Sequence, residues 1–356
     1  MSWDLKDSQN IYDELRVISA KILKAIGCHT EPLAINRRGK NRTCSFLNGR
    51  FKGILYHYTA GVAEIGTMRW GNHPGWGNEG SSWHVTVLDR ISDTVVGELW
   101  TTIDDELRLL FPVPTVIMAD WSRGTWHGNW TCNTTLGVEN RNAGYSKLDK
   151  VEALGKELML INARKWEPYT REQMIANVNL GRLANGWIDG QLDPDWVLTH
   201  QCVWATKMDT GPAYPIHRVR DGIFDDANDA IDLPWLAAHP MAPDNDIDFD
   251  EEFSWDEEER IEAEEDFVKW IEPTPEIEAE SYDPTWAASA LYKLGFNTGP
   301  EQPTPESLKK QIRWFQRSTS TFRKKNPGRV LAPDGVVGPK TAAFLRERLL
   351  QFGVIA

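Results

Sequence analysis

The chain reads as an α/β protein: a central mixed β-sheet flanked by helices, followed by a small C-terminal three-helix bundle. Three observations predict this. Short apolar strands alternate with amphipathic helices over roughly residues 1–240, a charge-dense stretch then interrupts the pattern, and a compact basic segment follows it. With 356 residues and 41% hydrophobic content, there is chain enough for one large domain and an appendage.

The first element is "SQNIYDELRVISAKILKAIG", where Ile11, Leu15, Ile18, Ile22 and Ile26 recur at helical spacing and Gly27 supplies the stop. Its polar face is mixed in charge rather than basic, so the helix belongs on the first domain and not on a membrane. "FKGILYHYTAG" predicts a short buried strand closing on a glycine-bearing turn. "SSWHVTVLDR" and "TVVGELW" predict a hairpin, and "TTLGVENRN" predicts another central strand. "VEALGKELMLINARKW" predicts a helix. So does "YTREQMIANVNLGRLANG", with the capping box Thr170-x-x-Gln173 at its start and Gly186 after its end.

Charge divides the chain. Residues 244–283 hold 19 Asp and Glu against 2 Lys and Arg, which exceeds the whole chain's net charge of −13. Residues 284–356 hold 12 Lys and Arg against 4 acids. A block that repels itself and carries few apolar anchors is solvated and extended. The predicted plan is therefore a helix and lead-in over 1–45, a main α/β domain over 46–243, an acidic linker over 244–283 and a separately tethered module over 284–356. On this plan a 1–243 fragment keeps whatever activity the main domain has. Cys28, Cys44, Cys132 and Cys202 show no C-x-x-C spacing and read as reduced thiols. No run approaches the roughly 18 apolar residues of a membrane span. The start, "MSWDLKDSQN", has neither a basic n-region nor an apolar h-region, so folding in a cytoplasm without a signal peptide is expected.

Polar groups recur at strand ends or in adjacent turns: His57 in "YHYTAG", Glu139 in "LGVENRN", and His200, Lys207 and Asp209 in "THQCVWATKMDTGP". Two histidines and one carboxylate would satisfy a catalytic zinc, which takes three protein ligands and leaves a position for water. His200 and Asp209 reach one metal if the loop between them folds back, and Gly211-Pro212 supplies a turn just after it. Each residue also has an ordinary reading. His57 alone would be a hydrogen-bonded core histidine, Glu139 a partner for Arg141, and Lys207 with Asp209 a loop ion pair of little energy.

Taken in order, "YHYTAG … SSWHVTV … TWHGN … LGVENRN … THQCVWATKMDTGP" resembles the zinc-dependent N-acetylmuramoyl-L-alanine amidases of the type-2 fold. Phage endolysins and peptidoglycan recognition proteins share that fold. The resemblance covers roughly residues 50–215. It implies Zn2+ bound by His57, His200 and Asp209, with Glu139 as catalytic carboxylate and Lys207 as the oxyanion-stabilising ammonium. It implies a substrate cleft that includes Tyr58, Thr59, His84, Trp126, His127 and Asn133. Cys202 is an alternative third ligand by chemistry, but the family's spacing favours Asp209. The segment "RLLFPVPTVIMADWSRG" is longer than the family's usual connection, which implies a remodelled cleft rim. Trp70, Trp76, Trp83, Trp121, Trp126 and Trp130 cluster in this part of the chain, where their faces suit either sugar rings or core packing. The loop at 66–82 is the strongest candidate for glycan contact, because its glycines argue against burial in an element.

In the basic segment, Phe315-Gln316 precedes Asp334-Gly335-Val336-Val337-Gly338-Pro339-Lys340-Thr341, and "YDPTWAASALYKLGF" supplies a first helix. This resembles the three-helix peptidoglycan-binding module, whose signature is an F-Q pair followed by D-G-x-x-G-x-x-T; a purely structural bundle is the other reading. Together the two resemblances imply an endolysin-type amidase, held in the host cytoplasm until it reaches the cell wall. The implied partner is bacterial peptidoglycan, with no nucleic acid, no stable membrane insertion and a monomeric state. The alternatives are a non-catalytic peptidoglycan receptor on the same fold and a zinc amidase acting on soluble muropeptides.

Overall fold

A computed structural model describes residues 5–28, 46–72, 83–89, 95–125, 127–128, 131–161, 164–205, 207–224, 284–298, 303–323 and 326–352. The acidic stretch 244–283 lies outside these residues, as do Trp76, Trp126 and Trp130.

The predicted α/β class holds. Five strands form the main sheet in the order β3-β2-β4-β1-β7. They are β1 (Gly53–Tyr58), β2 (Val85–Val87), β3 (Thr115–Ile117), β4 (Thr135–Asn140) and β7 (Val197–Thr199). Strand β1 runs parallel to both neighbours and β2 parallel to β4, while edge strand β3 is antiparallel to β2. Strands β5 (Met159–Ile161) and β6 (Arg164–Trp166) make a separate hairpin.

A parallel sheet must be covered on both faces, and here the covers differ. Ile54, Tyr56, Leu136, Val138 and Val197 point into a core shared with α1 (Leu5–Ala25) and α6 (Arg171–Trp187). Leu15, Ile18, Ile22 and Ile26 form the buried face of α1, as their spacing predicts. Ser19 on that helix accepts a hydrogen bond from the Ile117 amide (2.8 Å), which occupies a backbone donor of edge strand β3. Helix α6 begins with the predicted capping box, Thr170 and Gln173 each accepting the other's backbone N–H. It runs one residue past Gly186.

Leu55, Trp196 and Leu198 face the other way, into a second core. Its cover is the C-terminal bundle of α9 (Pro284–Lys293), α10 (Pro305–Ser318) and α11 (Pro339–Gln351). The motif read in the sequence builds that bundle: Gln316 donates to Asp334 Oδ1 (2.8 Å) and to the Val336 carbonyl (2.9 Å), and accepts from the Gly335 amide (2.9 Å). The bundle is not a separate body beside the sheet. Trp314 meets Trp196 edge-on at 4.7 Å between ring centroids, and Lys310 pairs with Asp195 at 2.6 Å. Helix α8 (Ile216–Phe224) adds His217, which stacks on Tyr292 at 3.6 Å and donates from Nε2 to the Tyr292 carbonyl (2.8 Å).

Two expectations fail on local grounds. "TVVGELW" is helix α3 (Val95–Trp100), and β2 pairs instead with β3, which comes from the long connection. Val96 and Trp100, four apart, are both buried, so the helical period wins over a short apolar run. "VEALGKELMLINARKW" is not one helix: α5 (Leu148–Ala153) stops just before Gly155, and the rest forms the β5–β6 hairpin. Likewise the front of the predicted 66–82 loop belongs to helix α2 (Glu64–Asn72).

The shared second core makes the 1–243 fragment a poor prospect. Losing the bundle uncovers Leu55, Leu198, Val203 and Trp196 together, at about 1.5–3 kcal/mol for each large side chain. Such a fragment is expected to aggregate or melt well below the full chain. Soluble yield and thermal unfolding check this, and an unchanged melting temperature would contradict it.

A pH effect follows from His217. Burial, then the Arg220 charge, lowers its pKa to about 3, because Nδ1 already accepts from the Arg220 guanidinium. The folded state thus binds fewer protons than the unfolded one. The contribution is complete above the ordinary value near 6.5 and is lost as pH falls toward 3, by about 2 kcal/mol at pH 5. Thermal unfolding at pH 7 and pH 5 should show a smaller drop for His217→Gln than for the wild type.

Candidate metal centre

In β1 and β4 the register sets His57 beside Glu139 and Tyr58 beside Asn140. In β1 and β7 it sets Tyr56 beside Thr199, so His200, the next residue, stands level with His57. Paired residues on parallel strands point to the same face. His57, Glu139 and His200 therefore emerge side by side at the carboxyl ends of three adjacent strands, where ligands bind in open α/β sheets.

The chain then turns back. His200 opens the short helix α7 (His200–Val203), and the Gln201 amide donates to the Asp209 carbonyl (3.0 Å), closing the loop between the two predicted ligands. Gly211 holds the following turn at φ 80°; a Cβ there would stand 2.5 Å from the Trp166 ring. Thus Asp209 Oδ2 lies 2.7 Å from His200 Nδ1 and 3.3 Å from His57 Nδ1, and the two Nδ1 atoms are 3.0 Å apart. All three residues are buried. Among the described residues this is the one group of metal-capable side chains that converges so closely.

Hydrogen bonding determines what the triangle can hold. His127 Nε2 donates to the Thr135 carbonyl (3.1 Å), so the neutral ring has a bare Nδ1. That nitrogen lies 3.2 Å from His57 Nε2, which must then carry the proton and donate. His57 Nδ1 is left as a lone pair, aimed at His200 and Asp209. Burial, with the charge of His200, lowers the His57 pKa to about 4, which keeps the ring neutral. Burial opposes ionisation of Asp209, but the charge and hydrogen bonds of His200 and His57 outweigh it and hold its carboxyl well below the usual range. Two imidazole nitrogens and a carboxylate oxygen, too close to face one another without a cation or a shared proton, suit a divalent metal. Tetrahedral zinc, with ligands at 2.0–2.2 Å, would set them about 3.3 Å apart. The donor set fits.

Glu139 is not spent on Arg141. That guanidinium pairs instead with Asp89 (2.9 Å) and Glu167, with Lys156 completing a buried four-charge cluster. Glu139 Oε2 is buried and has no hydrogen-bond partner among the described residues. Burial and then the Asp209 charge raise its pKa well above the ordinary value, while Lys207 opposes them. A carboxyl with a raised pKa and no structural hydrogen bonds, set beside this triangle, has the chemistry to move a proton. Lys207 is exposed and makes no ion pair with Asp209; its charge reaches Glu139 and His57.

Cys202 is not a ligand. It is fully buried and turns away toward the bundle, with Sγ 3.3 Å from Thr199 Oγ1 and 3.5 Å from the Leu294 carbonyl. Three cleft expectations also need correction. His84 is a core histidine: it has 0% exposure, donates from Nε2 to the Arg123 carbonyl (2.7 Å) and accepts the Gly137 amide at Nδ1 (2.8 Å). Asn133 lies in the turn before β4, at the end of the sheet opposite Glu139, with about 13 Å of strand between Thr135 and Glu139. Thr59 uses its hydroxyl within the loop, sharing hydrogen bonds with the Gly61 and Asn142 backbones at 3.3 Å. Tyr58 remains near the site, its hydroxyl kept protonated by burial and then by the Asp209 charge. Trp83 and Trp121 are buried core residues, not glycan platforms.

Two groups near Tyr58 have no motif to mark them. Tyr145 packs edge-on against Trp166 (5.2 Å), and Arg164 lies over the Tyr145 ring (4.9 Å). Both depend on the β5–β6 hairpin, which the sequence reading took for helix. His127 also gained a sharper position, since Gly137 leaves the space for its ring: a Cβ there would come within 2.5 Å.

No protein-family model matches this chain, and no curated protein sequence does. Similar solved structures include two crystal structures of AmpDH3 from Pseudomonas aeruginosa, both 15% identical with a TM-score of 0.37. One covers 90% of this chain and 98% of that chain; the other, in complex with anhydromuramic pentapeptide, covers 85% and 92%. At that identity and score the function must rest on the site itself.

Replacing any one of His57, His200 or Asp209 by Ala is expected to abolish stoichiometric zinc binding in folded protein. His127→Phe, which removes the hydrogen bond behind His57, should weaken zinc affinity by about 10–100-fold. Competition with a chromophoric chelator measures both, and unchanged affinity in the Asp209 variant would move the third ligand elsewhere.

Proposed function

We propose that this protein is a zinc-dependent peptidoglycan amidase that hydrolyses the bond between the lactyl group of N-acetylmuramic acid and L-alanine. The observation that carries the reading is the convergence of His57, His200 and Asp209 on one point, with the unpartnered Glu139 on the adjacent strand. The order of the motifs over residues 50–215 supports the choice of bond.

A Zn2+ held by these three groups supplies Lewis acidity and brings the pKa of water down toward about 7. Glu139 takes a proton from the attacking water and returns it to the departing alanine nitrogen. Its raised pKa suits both halves of that transfer. The Lys207 ammonium stabilises negative charge on the carbonyl oxygen as the carbon becomes tetrahedral. His127 keeps the His57 ring fixed and its Nδ1 bare. The C–N bond breaks, leaving a free lactyl carboxylate and a new alanine amino terminus.

The setting we propose is that of a phage or prophage endolysin, held in the host cytoplasm until it is released to the wall. A receptor on the same fold would have no use for a complete ligand set and an ionisable, unpartnered Glu139.

Purified peptidoglycan digested with the protein should yield free lactyl carboxylates and new L-alanine amino termini by mass analysis. Glu139→Gln should bind zinc normally yet turn over about 10²–10⁴-fold more slowly. Near-normal turnover in that variant would remove Glu139 from the mechanism.

A further inference from the structure

The loop that carries Lys207 and Asp209 is held from behind by the C-terminal bundle. Arg348 on α11 donates from Nη2 to the Lys207 carbonyl at 2.9 Å, two residues before Asp209. Arg348 is 4% exposed and forms no ion pair with a carboxylate among the described residues; Nη1 donates to Gln351 Oε1 at 2.5 Å. Burial lowers its pKa only to about 10, so the guanidinium stays charged at neutral pH. A buried cation that spends a donor on a loop carbonyl is costly unless that carbonyl needs to be held.

The same segment is pinned along its length. The Ala205 amide donates to the Ser318 carbonyl at the end of α10 (3.3 Å). Gln201 Nε2 and Cys202 Sγ both donate to the Leu294 carbonyl just past α9 (3.4 and 3.5 Å). Each bundle helix, at or near its end, therefore holds one part of the stretch between His200 and Asp209. Leu198, Cys202, Val203 and Ala205 sit in the apolar core that this stretch shares with Leu291, Phe315 and Leu345. His200, Lys207 and Asp209 are the groups on its other side.

We propose that the C-terminal bundle is a working part of the active site, and that Arg348 is a positioning residue that fixes Lys207 and Asp209 through the Lys207 carbonyl. The proposal rests on the reading of those two residues as active-site groups. A loop misplaced by about 1 Å can cost on the order of 10²-fold in rate. The ligand Asp209 and the ammonium of Lys207 move together, so metal affinity and turnover should fall together, with substrate affinity spared.

The experiment uses the full chain with two substitutions. Arg348→Met keeps the apolar stem but removes the donors; Arg348→Lys keeps the charge and one donor group. For each, zinc affinity is measured by chelator competition, and kcat and KM on a soluble muropeptide, alongside thermal unfolding. Expected are a roughly tenfold weaker zinc affinity and a kcat lowered by about 10–100-fold in Arg348→Met, with KM within about twofold of wild type. Arg348→Lys should fall between. Wild-type zinc affinity and kcat in either folded variant would overturn the proposal, even if its melting temperature dropped. Should Arg348→Met fail to fold, the Lys variant decides by the same criterion. If the wild type binds zinc but does not cleave the muropeptide, the amidase reading fails while the affinity comparison still tests the clamp.

Discussion

Strand β1 is hydrogen-bonded to parallel neighbours on both sides, and that double pairing sets every position around the site. A slip of one residue would turn His57 into the α6 core and bring Tyr56 to the metal face. The alternation of Ile54 and Tyr56 on one side with Leu55 and His57 on the other makes such a slip costly, because both faces are buried. The same register carries Glu139 to one flank of His57 and His200 to the other. Three side chains of the candidate site, from distant parts of the chain, are thus placed by backbone pairing, before any loop contributes.

Burial of both faces brings a second consequence. The face that bears the metal triangle cannot be left to water over Leu55 and Leu198, and the helices that cover it lie at the far end of the sequence. The bundle and the site therefore share one set of contacts. Arg220 shows the coupling: it donates to the Val197 carbonyl at the start of β7 (2.8 Å) and to the Gly295 carbonyl behind α9 (2.5 Å). A cover that is joined this way transmits its own order to the strand ends it protects.

Of the residues that motif order singles out, His57, His200 and Asp209 do converge in the structure. His57, His200 and Asp209 each bring a donor atom to one end of the sheet, and the eight residues between the last two fold back so that the Gln201 amide reaches the Asp209 carbonyl. The helix–strand errors have a different origin. Val95–Trp100 carries β-branched residues and reads as strand, yet its burial of Val96 and Trp100 comes from tertiary packing that no local window contains. In "VEALGKELMLINARKW" the apolar residues fit a helical period, but Gly155, at positive φ, ends the helix and the rest pairs as a hairpin. His84 was mistaken for a cleft residue because a histidine's role depends on its partners. Here they include a backbone carbonyl and a backbone amide, which leave no mark in the sequence, beside the Thr125 hydroxyl at 3.1 Å from Nδ1. Arg348 was invisible for the same reason, since its partner is the carbonyl of Lys207.

Backbone carbonyls also decide the protonation pattern, which is the last step between fold and chemistry. The Thr135 carbonyl accepts from His127, and that single bond fixes which nitrogen of His127 is bare, hence which nitrogen of His57 carries a proton, hence which one is free. The information travels from a strand backbone through two rings to a lone pair at the centre of the triangle. His84 repeats the logic one layer down, with the Arg123 carbonyl setting its tautomer and its Nδ1 taking the Gly137 amide. Gly137 is therefore held at its backbone by one histidine while its missing side chain makes room for another. A methyl group there would strike His127 and tilt the ring that orients His57. The absence of a side chain at Gly137 thus belongs to the candidate metal centre as much as the presence of one at His57.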